Sequence, residues 1–330
     1  MLRASLTSVS GLLARNAASV SIIRNEFVTA STTALRGRLF TTSPTSWSDL
    51  PPMAEPPAPH AGLRGGSLGQ PSLNEDGSAK VSDAEDAWGG PGYMLMKPVY
   101  PREYLERVAP THKPPQRLFE KTGFWAVQSA RWTFDRLTGY SEHNSEKVWL
   151  HRMLFLETVA GVPGFVAGML RHMRSLRSMR RDNGWIHTLL EEAENERMHL
   201  LTFLQFIQPG PFMRFSVLAA QGIFFNAYLF FYLLSPRHCH AFVGYLEEEA
   251  IKTYTHCLRE IDAGNLADWD KRPAPLIARN YWHLAPDATM RDVILNVRAD
   301  EACHSYVNHT FSQMKASDEN PFVPGTHQIS

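Results

Sequence analysis

The chain has 330 residues, of which 44% are hydrophobic, enough for a sizeable core in one large or two small domains. Its 33 basic and 33 acidic residues balance, which argues against a nucleic-acid partner, because nucleic-acid-binding proteins normally carry a basic excess. Three cysteines, Cys239, Cys257 and Cys303, have no CxxC spacing. A disulfide scaffold and a zinc ribbon are therefore not expected.

The first 40 residues have the composition of a mitochondrial transit peptide. They contain five arginines, a single acid (Glu26) and many serines and threonines, and cleavage is expected just after Phe40. Without this leader, 28 basic and 32 acidic residues remain, a net charge of −4. Residues 41–115 carry Pro-Pro and Gly-Gly pairs and no apolar period, which predicts a flexible arm.

From residue 116 onward, apolar residues recur at helical spacing and few runs alternate as strands would. The pattern predicts an all-α domain over residues 116–314, followed by a C-terminal tail over residues 315–330. The short connections contain Gly, Pro, Asn and Asp and favour antiparallel neighbours in one bundle. Six helices are predicted, over residues 116–137, 146–177, 185–207, 211–234, 237–263 and 286–314.

Two segments are unusually apolar. Residues 153–170 contain one charge, Glu157, and residues 217–234 contain none. Each is about 18 residues long, the lower limit for a membrane-spanning helix. The alternatives are core helices of a bundle, or a protein that lies in one leaflet through an apolar helix face. Arginines recur at about every third position over residues 169–181, which favours attachment to an anionic membrane surface.

The motif Glu-x-x-His occurs twice, as Glu196–His199 and Glu301–His304. Residues three apart on a helix lie on one face, so each pair can bind the same metal ion. Two such pairs on separate helices of one bundle form the centre of the di-iron carboxylate pattern. That pattern also needs one glutamate from each of two further helices.

Both further helices supply a candidate. Glu157 lies among apolar residues, where an unpaired carboxylate costs several kcal/mol. In the run 247–249, Glu247 shares its face with Val243 and Ile251, whereas Glu249 faces a mixed set, so Glu247 is the predicted ligand. Carboxylate and imidazole ligands suit iron with open positions for dioxygen. The predicted metal ligands are Glu157, Glu196, His199, Glu247, Glu301 and His304.

Four segments carrying these residues closely resemble the alternative oxidases, which are mitochondrial, cyanide-insensitive ubiquinol oxidases. They are LETVAGVPG (156–164), Glu192-Ala-Glu-Asn-Glu-Arg-Met-His199, YLEEEA (245–250) and RADEACH (298–304), and the resemblance extends over about residues 120–314. It implies a ferritin-like four-helix bundle with a di-iron centre, plus two additional membrane-associated helices.

The resemblance also implies an activity. Ubiquinol would be oxidised while dioxygen is reduced to water without proton pumping, by a homodimer bound in one leaflet on the matrix side of the inner membrane. Two iron ions per chain would be held by the six ligands, with Tyr254 as a redox-active residue. Asn195, Asp300, Trp282, Tyr232 and Tyr281 would surround the ligands, and Arg131, Asp135, Arg152, Leu156, Ala250 and Thr253 would form the quinol pocket.

Three alternatives remain open from the residues alone. Another di-iron hydroxylase or desaturase would share the ligands, a plastid-type plastoquinol oxidase is a close relative, and an iron-storage protein would use the same scaffold. No cysteine precedes Cys239. Thiol-based control of the plant type is therefore not expected, and the three cysteines are predicted to be buried small residues.

Overall fold

The regular structure of this computed structural model is helical. It describes residues 100–266 and 268–322, so the predicted transit peptide, most of the predicted arm and the end of the tail lie outside the described residues. The described residues contain no strand, only an isolated bridge between Pro273 and Thr289, and the all-α prediction is confirmed. Their eight helices are α1 (Arg102–Arg107), α2 (Leu118–Thr138), α3 (Glu146–Ser178), α4 (Trp185–Phe203), α5 (Pro211–Leu234), α6 (Pro236–Asp262), α7 (Leu276–Tyr281) and α8 (Met290–Gln313).

Four of these helices form the predicted bundle. Helix α3 packs along α4, α6 packs along α8, and the two pairs meet through contacts of α3 with α6 and of α4 with α8. The two additional long helices lie outside: α2 packs on α6, and α5 packs on α3 and α6. The predicted ferritin-like architecture is confirmed.

Local capping explains where the helices begin and end. The Ser145 hydroxyl accepts a hydrogen bond from the Val148 amide and starts α3, and Gly139 ends α2 in the left-handed conformation, with φ of 67°. Helix α8 starts at residue 290 rather than 286, because Thr289 and Asp292 form a capping box there. Helices α1 and α7 were not predicted, since six residues are too few to show an apolar period.

Residues 100–115 differ from the expectation of a flexible arm. Leu105, Val108 and His112 in this segment are buried. The guanidinium of Arg298 on α8 donates a hydrogen bond to the Leu105 carbonyl at 2.8 Å. Residues 100–115 are therefore packed against the bundle, held by contacts that leave no periodic signal in sequence.

The core consists of two hydrophobic clusters, and the bundle helices run through both. One cluster includes Trp149 and Trp282, and the other includes Val166 and Trp185. On each bundle helix, the predicted metal ligands lie along the chain between residues of the two clusters. A polar layer is therefore enclosed by apolar packing at both ends.

Among the described residues, two helices are long and apolar enough to cross a membrane by length and composition, α3 and α5. In α3 44% of the apolar window is buried, but in α5 only 11% is, so α5 presents its apolar side chains outward. Helix α2 adds Leu118, Trp125 and Trp132, exposed at seven-residue spacing on one face. The outer helices thus carry an exposed apolar surface that the bundle does not use.

The arginine-rich end of α3 divides into two parts. Arg171 is buried, pairs with Asp182 at 2.8 Å and lies over the Trp185 ring at 4.2 Å. Arg174 and Arg177, by contrast, are exposed, as are Arg180 and Arg181. The basic face predicted from spacing therefore begins after Arg171, which stabilises the fold instead.

Candidate metal centre

The six predicted ligands converge in the centre of the bundle. Glu157 comes from α3, the first Glu-x-x-His pair from α4, Glu247 from α6 and the second pair from α8. None of the six is more than 8% exposed. A buried layer of this many ionisable groups needs a compensating charge, because unpaired buried charges are strongly unfavourable.

His199 lies at the middle of one half of the layer. Its Nδ1 atom is 3.3 Å from a Glu157 oxygen, 3.5 Å from Oε2 of Glu196 and 3.5 Å from Oε1 of Glu301. The ligand atoms of these four residues all lie within 4.8 Å of one another, close enough to hold a metal ion.

His304 and Glu247 form the other half. Nδ1 of His304 is 2.8 Å from Oε1 of Glu196 and 3.6 Å from Oε2 of Glu301, and Glu247 shares a hydrogen bond with Glu301. Both motif glutamates therefore direct one oxygen towards His199 and the other towards His304. This is the arrangement in which two carboxylates can bridge two neighbouring ions.

Several donor atoms of this layer lack hydrogen-bond partners. They include Oε2 of Glu157, both oxygens of Glu196, Nδ1 of His199 and Oε2 of Glu301, all of which are buried. Buried polar atoms in proteins almost always have a hydrogen-bond partner or bind an ion, so each of these atoms is expected to have a partner. Oxygen and imidazole donors together suit a transition-metal ion, and the residues present fit iron.

Burial and proximity shift the protonation of the layer. Burial raises the pKa of Glu157 to about 8 and raises the pKa of Glu247, whose neighbours Glu301 and Glu196 add repulsion. Glu196 is also desolvated, but the nearby imidazoles of His199 and His304 lower its pKa below the usual range. Bound protons therefore reduce the repulsion between the carboxylates of this layer, and a bound metal ion would replace these protons.

The three consecutive glutamates of α6 have three different environments. Glu247 points into the metal layer, whereas Glu248 pairs with His112 and His309. Glu249 accepts hydrogen bonds from Arg131 and from the amide of Gln128. The structure thus brings Glu247, and not Glu249, to the other predicted ligands.

Asp300 and three other residues predicted around the ligands, Asn195, Trp282 and Tyr281, form one hydrogen-bonded network. Its Oδ2 accepts hydrogen bonds from the Asn195 amide at 3.0 Å and from the Trp282 indole at 2.9 Å, and it lies 3.0 Å from Nε2 of His199. Asn195 also donates to the Tyr281 hydroxyl at 2.8 Å. Because Asp300 holds the proton on Nε2, the Nδ1 lone pair of His199 faces the carboxylates.

Tyr232 lies outside the Asp300 network. Its hydroxyl donates to Nε2 of His240 at 3.2 Å, and His240 contacts Asn308, whose amide donates to Glu192. Tyr232 is on α5, and this chain of contacts links it to Glu192 on α4.

Sequence reasoning missed Glu192, Asn308 and His240. Glu192 is buried, and burial raises its pKa to about 7. A sequence signal for it exists, because Glu192 lies four residues before Glu196 and so shares its helix face. Asn308 carries the same signal, because it follows His304 by four residues, and His240 precedes Glu247 by two helical turns on one face. The structure adds all three to the surroundings of the metal layer.

Tyr254 reaches the metal layer from α6. The side chain is buried, and its hydroxyl donates a hydrogen bond to the Glu157 carboxylate on α3. The ring lies parallel to that of Phe203, with centroids 6.4 Å apart. A phenol in this position is in direct contact with a predicted metal ligand.

Four of the predicted quinol-pocket residues form one network of hydrogen bonds and ion pairs. Asp135 accepts from Arg131 at 3.0 Å and forms an ion pair with Arg152 at 2.6 Å, and Arg131 also donates to the Thr253 hydroxyl at 3.0 Å. The remaining two, Leu156 and Ala250, are half-buried. Leu156 directly precedes the metal-layer residue Glu157, so the network on α2 and the metal layer approach each other at α3.

The three cysteines are free and buried, as predicted. Cys303 lies between the two residues of the second Glu-x-x-His pair, and burial raises its pKa to about 11. A thiol with a raised pKa is a poor nucleophile, so these cysteines act as small apolar groups.

Comparisons with known proteins identify the family. A sequence model described as "Alternative oxidase" matches residues 100–313, more than half of the chain. The mitochondrial alternative oxidase of Aspergillus niger is 50% identical over 256 residues, which cover 74% of this chain and 71% of that protein. Those of Emericella nidulans and Yarrowia lipolytica are 49% identical over 257 residues (74% and 71%) and 48% identical over 245 residues (70% and 69%).

These matches confirm the resemblance found in the four sequence segments. They give no support to a hydroxylase, a desaturase, a plastid-type oxidase or an iron-storage protein. The matched relatives are mitochondrial proteins, which supports a mitochondrial oxidoreductase here. The chain belongs to the alternative oxidase family.

Proposed function

We propose that this chain is a terminal ubiquinol oxidase, in which two quinols reduce one dioxygen to two waters without proton pumping. The observation that carries the proposal is the bridging geometry of Glu196 and Glu301, each of which directs one oxygen to His199 and the other to His304. A site for a single ion would not need two glutamates that each face two histidines.

The six converging side chains would hold two iron ions. Glu157 and His199 would bind one ion, Glu247 and His304 the other, and the two motif glutamates would bind both. Iron in this site would supply the transfer of electrons from quinol to dioxygen. Asp300 keeps His199 in the tautomer that can bind, and the Tyr254 phenol can pass its proton to the Glu157 carboxylate.

Quinol would bind where the Arg131–Asp135–Arg152 network meets Thr253. These groups offer charged donors and a hydroxyl for the quinol oxygens, and Leu156 and Ala250 offer apolar contact for the ring. The paired charges of Asp135 and the two arginines keep the site polar without net repulsion. A quinol there would lie beside α3, which carries Glu157.

The protein would lie in one leaflet of the inner membrane, on the matrix side. Exposed apolar residues of α2 and α5 support this placement, and the exposed arginines that follow Arg171 would meet anionic headgroups. Both termini would then be in the matrix. Protease added from the intermembrane side should cut no loop, and cleavage there would favour a spanning topology.

A homodimer is also proposed, through the outer face of α3 and α4. Phe165 on α3 is 53% exposed and Leu190 on α4 is 37% exposed, although both helices belong to the bundle. The double variant Phe165→Glu, Leu190→Glu should shift the mass of the detergent-solubilised protein from dimer to monomer in light scattering. An unchanged mass would exclude this interface.

The decisive experiment is oxygen uptake by membranes that contain the full chain. Adding ubiquinol should start uptake that cyanide does not inhibit, and the purified protein should contain about two irons per chain. Glu196→Ala and His304→Ala should abolish uptake while leaving the helical circular dichroism signal in place. Glu194→Ala is the matched control, because Glu194 is on the same helix but pairs with Arg197 at the surface.

The possible results separate the candidates. Full uptake in Glu196→Ala would refute the di-iron proposal. Iron without quinol-dependent uptake would instead support a storage role, and product formation from a fatty acid or hydrocarbon would support a hydroxylase or desaturase.

A further inference from the structure

Residues 100–113, which include α1, form a strap across the bundle helices α6 and α8. The backbone of the strap is held at its middle by Arg298, whose guanidinium donates to the Leu105 carbonyl. Two surface ion pairs add to this attachment, Arg102 with Asp292 and Arg291 with Glu106. The strap belongs to no bundle helix, yet two of its side chains reach buried carboxylates.

The first of these side chains is Tyr100. Its hydroxyl donates to Oδ1 of Asp300 at 2.7 Å, while the other oxygen of Asp300 accepts from Asn195 and Trp282 and contacts His199. Tyr100 is therefore the donor that occupies the second oxygen of this carboxylate. Because both carboxylate oxygens of Asp300 accept hydrogen bonds, rotation of the carboxylate about the Cβ–Cγ bond would break some of them.

The second is His112, at the other end of the strap. Its Nδ1 lies 2.7 Å from Oε2 of Glu248, and the neighbouring Lys113 amide donates to Oε1 at 3.0 Å. His309 supplies a further contact at 2.8 Å. Glu248 has no exposed surface, so removing the strap would leave a buried carboxylate with fewer partners.

Both carboxylates are sequence neighbours of predicted metal ligands. Asp300 directly precedes Glu301 on α8, and Glu248 directly follows Glu247 on α6. Neighbouring residues share a helical turn, so a contact that fixes the direction of one side chain also restrains the backbone that carries the other. The strap thus contacts the two ligand-bearing turns from outside the bundle.

We propose that the strap is a positioning element for the metal centre, with Tyr100 acting through Asp300 and His112 acting through Glu248. The inference rests on the proposed metal site. Neither residue touches the metal layer itself. Tyr100 keeps Asp300 oriented so that His199 presents its Nδ1 lone pair, and His112 holds the turn that directs Glu247 inward.

The test measures how fast the site loses iron. The full-length protein is purified in detergent and loaded with ferrous iron without oxygen, and iron transfer to an excess of a ferrous chelator is followed. Tyr100→Phe should release iron about tenfold faster, because residues that orient metal ligands typically change affinity by ten- to a hundredfold. Its melting temperature without metal should fall by only about 2–4 °C, as expected for the loss of one hydrogen bond.

Tyr104→Phe is the matched control. Tyr104 lies in the same strap, its ring is 5.5 Å from that of Tyr100, and it shares the contact of Tyr100 with the Cys303 thiol but not the hydrogen bond to Asp300. This variant should release iron at the unmodified rate. For the other end of the strap, His112→Leu should release iron faster, and His112→Asn should restore part of the retention because it keeps a donor.

A double-variant cycle separates positioning from general stability. In an Asp300→Ala background, which lacks both carboxylate oxygens, Tyr100→Phe should add nothing further to the release rate, since the contact on which it acts is already removed. Equal release from Tyr100→Phe and the unmodified protein, or purely additive effects in the cycle, would overturn the inference. An unmodified protein that binds no iron would refute the metal centre itself, a result distinct from these.

Discussion

The hydroxyl of Tyr254 on α6 donates a hydrogen bond to the carboxylate of Glu157 on α3. The two residues are 97 positions apart, and both are buried. Tyr254 follows Glu247 by two helical turns on the same face, and helical side chains lean towards the N-terminus. The phenol therefore reaches back into the layer that contains both glutamates, rather than satisfying a distant backbone carbonyl.

Replacing Tyr254 by Phe should keep the iron and the fold but remove most turnover, because Phe cannot release a proton and an electron. Iron content, melting temperature and quinol-dependent oxygen uptake are the measurements. Loss of one buried hydroxyl costs about 1–3 kcal/mol of stability. A lower melting temperature with normal uptake would assign Tyr254 a purely structural role.

Replacing Thr253 by Val should weaken quinol binding without loss of iron. The Thr253 hydroxyl accepts from Arg131 and donates to the Glu249 carbonyl, and Val has nearly the same shape without these bonds. Loss of one hydrogen bond to a charged group predicts a KM for quinol about tenfold higher.

The matched control for this change is Thr255→Val, because the Thr255 hydroxyl is buried without a hydrogen-bond partner. Its KM should equal that of the unmodified enzyme. If Thr253→Val leaves KM unchanged, the quinol site lies elsewhere.

Charged residues on α5 should detach the protein from membranes. Leu218 is 69% exposed and Ile223 is 74% exposed, and burying each such side chain in lipid contributes about 1.5–3 kcal/mol. The double variant Leu218→Asp, Ile223→Asp should therefore bind vesicles at least tenfold more weakly in a flotation assay. Leu276→Asp, at an exposed residue of α7, should bind normally.

The same assay at 1 M salt distinguishes apolar from electrostatic attachment. Salt screens the exposed arginines but not apolar burial, so the unmodified protein should stay bound. Complete release by salt alone would contradict attachment through α2 and α5.

His240 should make stability depend on pH. Burial, with a smaller contribution from Arg171, lowers its pKa from 6.5 to about 4, so the folded protein keeps His240 neutral while the unfolded chain takes up a proton below pH 6.5. This stability is present above pH 6.5 and is lost as the pH falls towards 4, by about 3 kcal/mol in total. Chemical unfolding of His240→Gln should show a smaller loss over that range. Identical pH slopes for the two proteins would show that His240 is not the titrating group.

Gly164 should tolerate no larger side chain. A Cβ atom at this position would lie 2.5 Å from the Leu189 carbonyl oxygen, because α3 and α4 approach closely there. Gly164→Ala should therefore destabilise the protein by about 1–3 kcal/mol. Gly222→Ala on α5, with nothing within 4 Å of the added atom, should be neutral or stabilising. Equal melting temperatures for the two variants would disprove the close approach.

Much of the metal centre was predictable because its signals are local. The three-residue spacing of each Glu-x-x-His pair already places carboxylate and imidazole on one helix face. Glu157 was identifiable as the single charge in an apolar segment, and Glu247 by the apolar residues on its face. Tyr232 was indicated by the resemblance alone, and the packing of α5 places its hydroxyl on His240 rather than on Asp300.

Local sequence patterns were enough to predict the helices, their approximate ends, the residues that share each face and the family, because helical periodicity, capping and motif spacing depend on neighbouring residues. The packing of the helices, by contrast, sets how both motif glutamates divide their oxygens between His199 and His304. The tertiary structure also decided that Tyr100 reaches Asp300 across 200 positions. Such contacts depend on how helices and connecting segments pack, and no local pattern records which distant donor fills a buried acceptor.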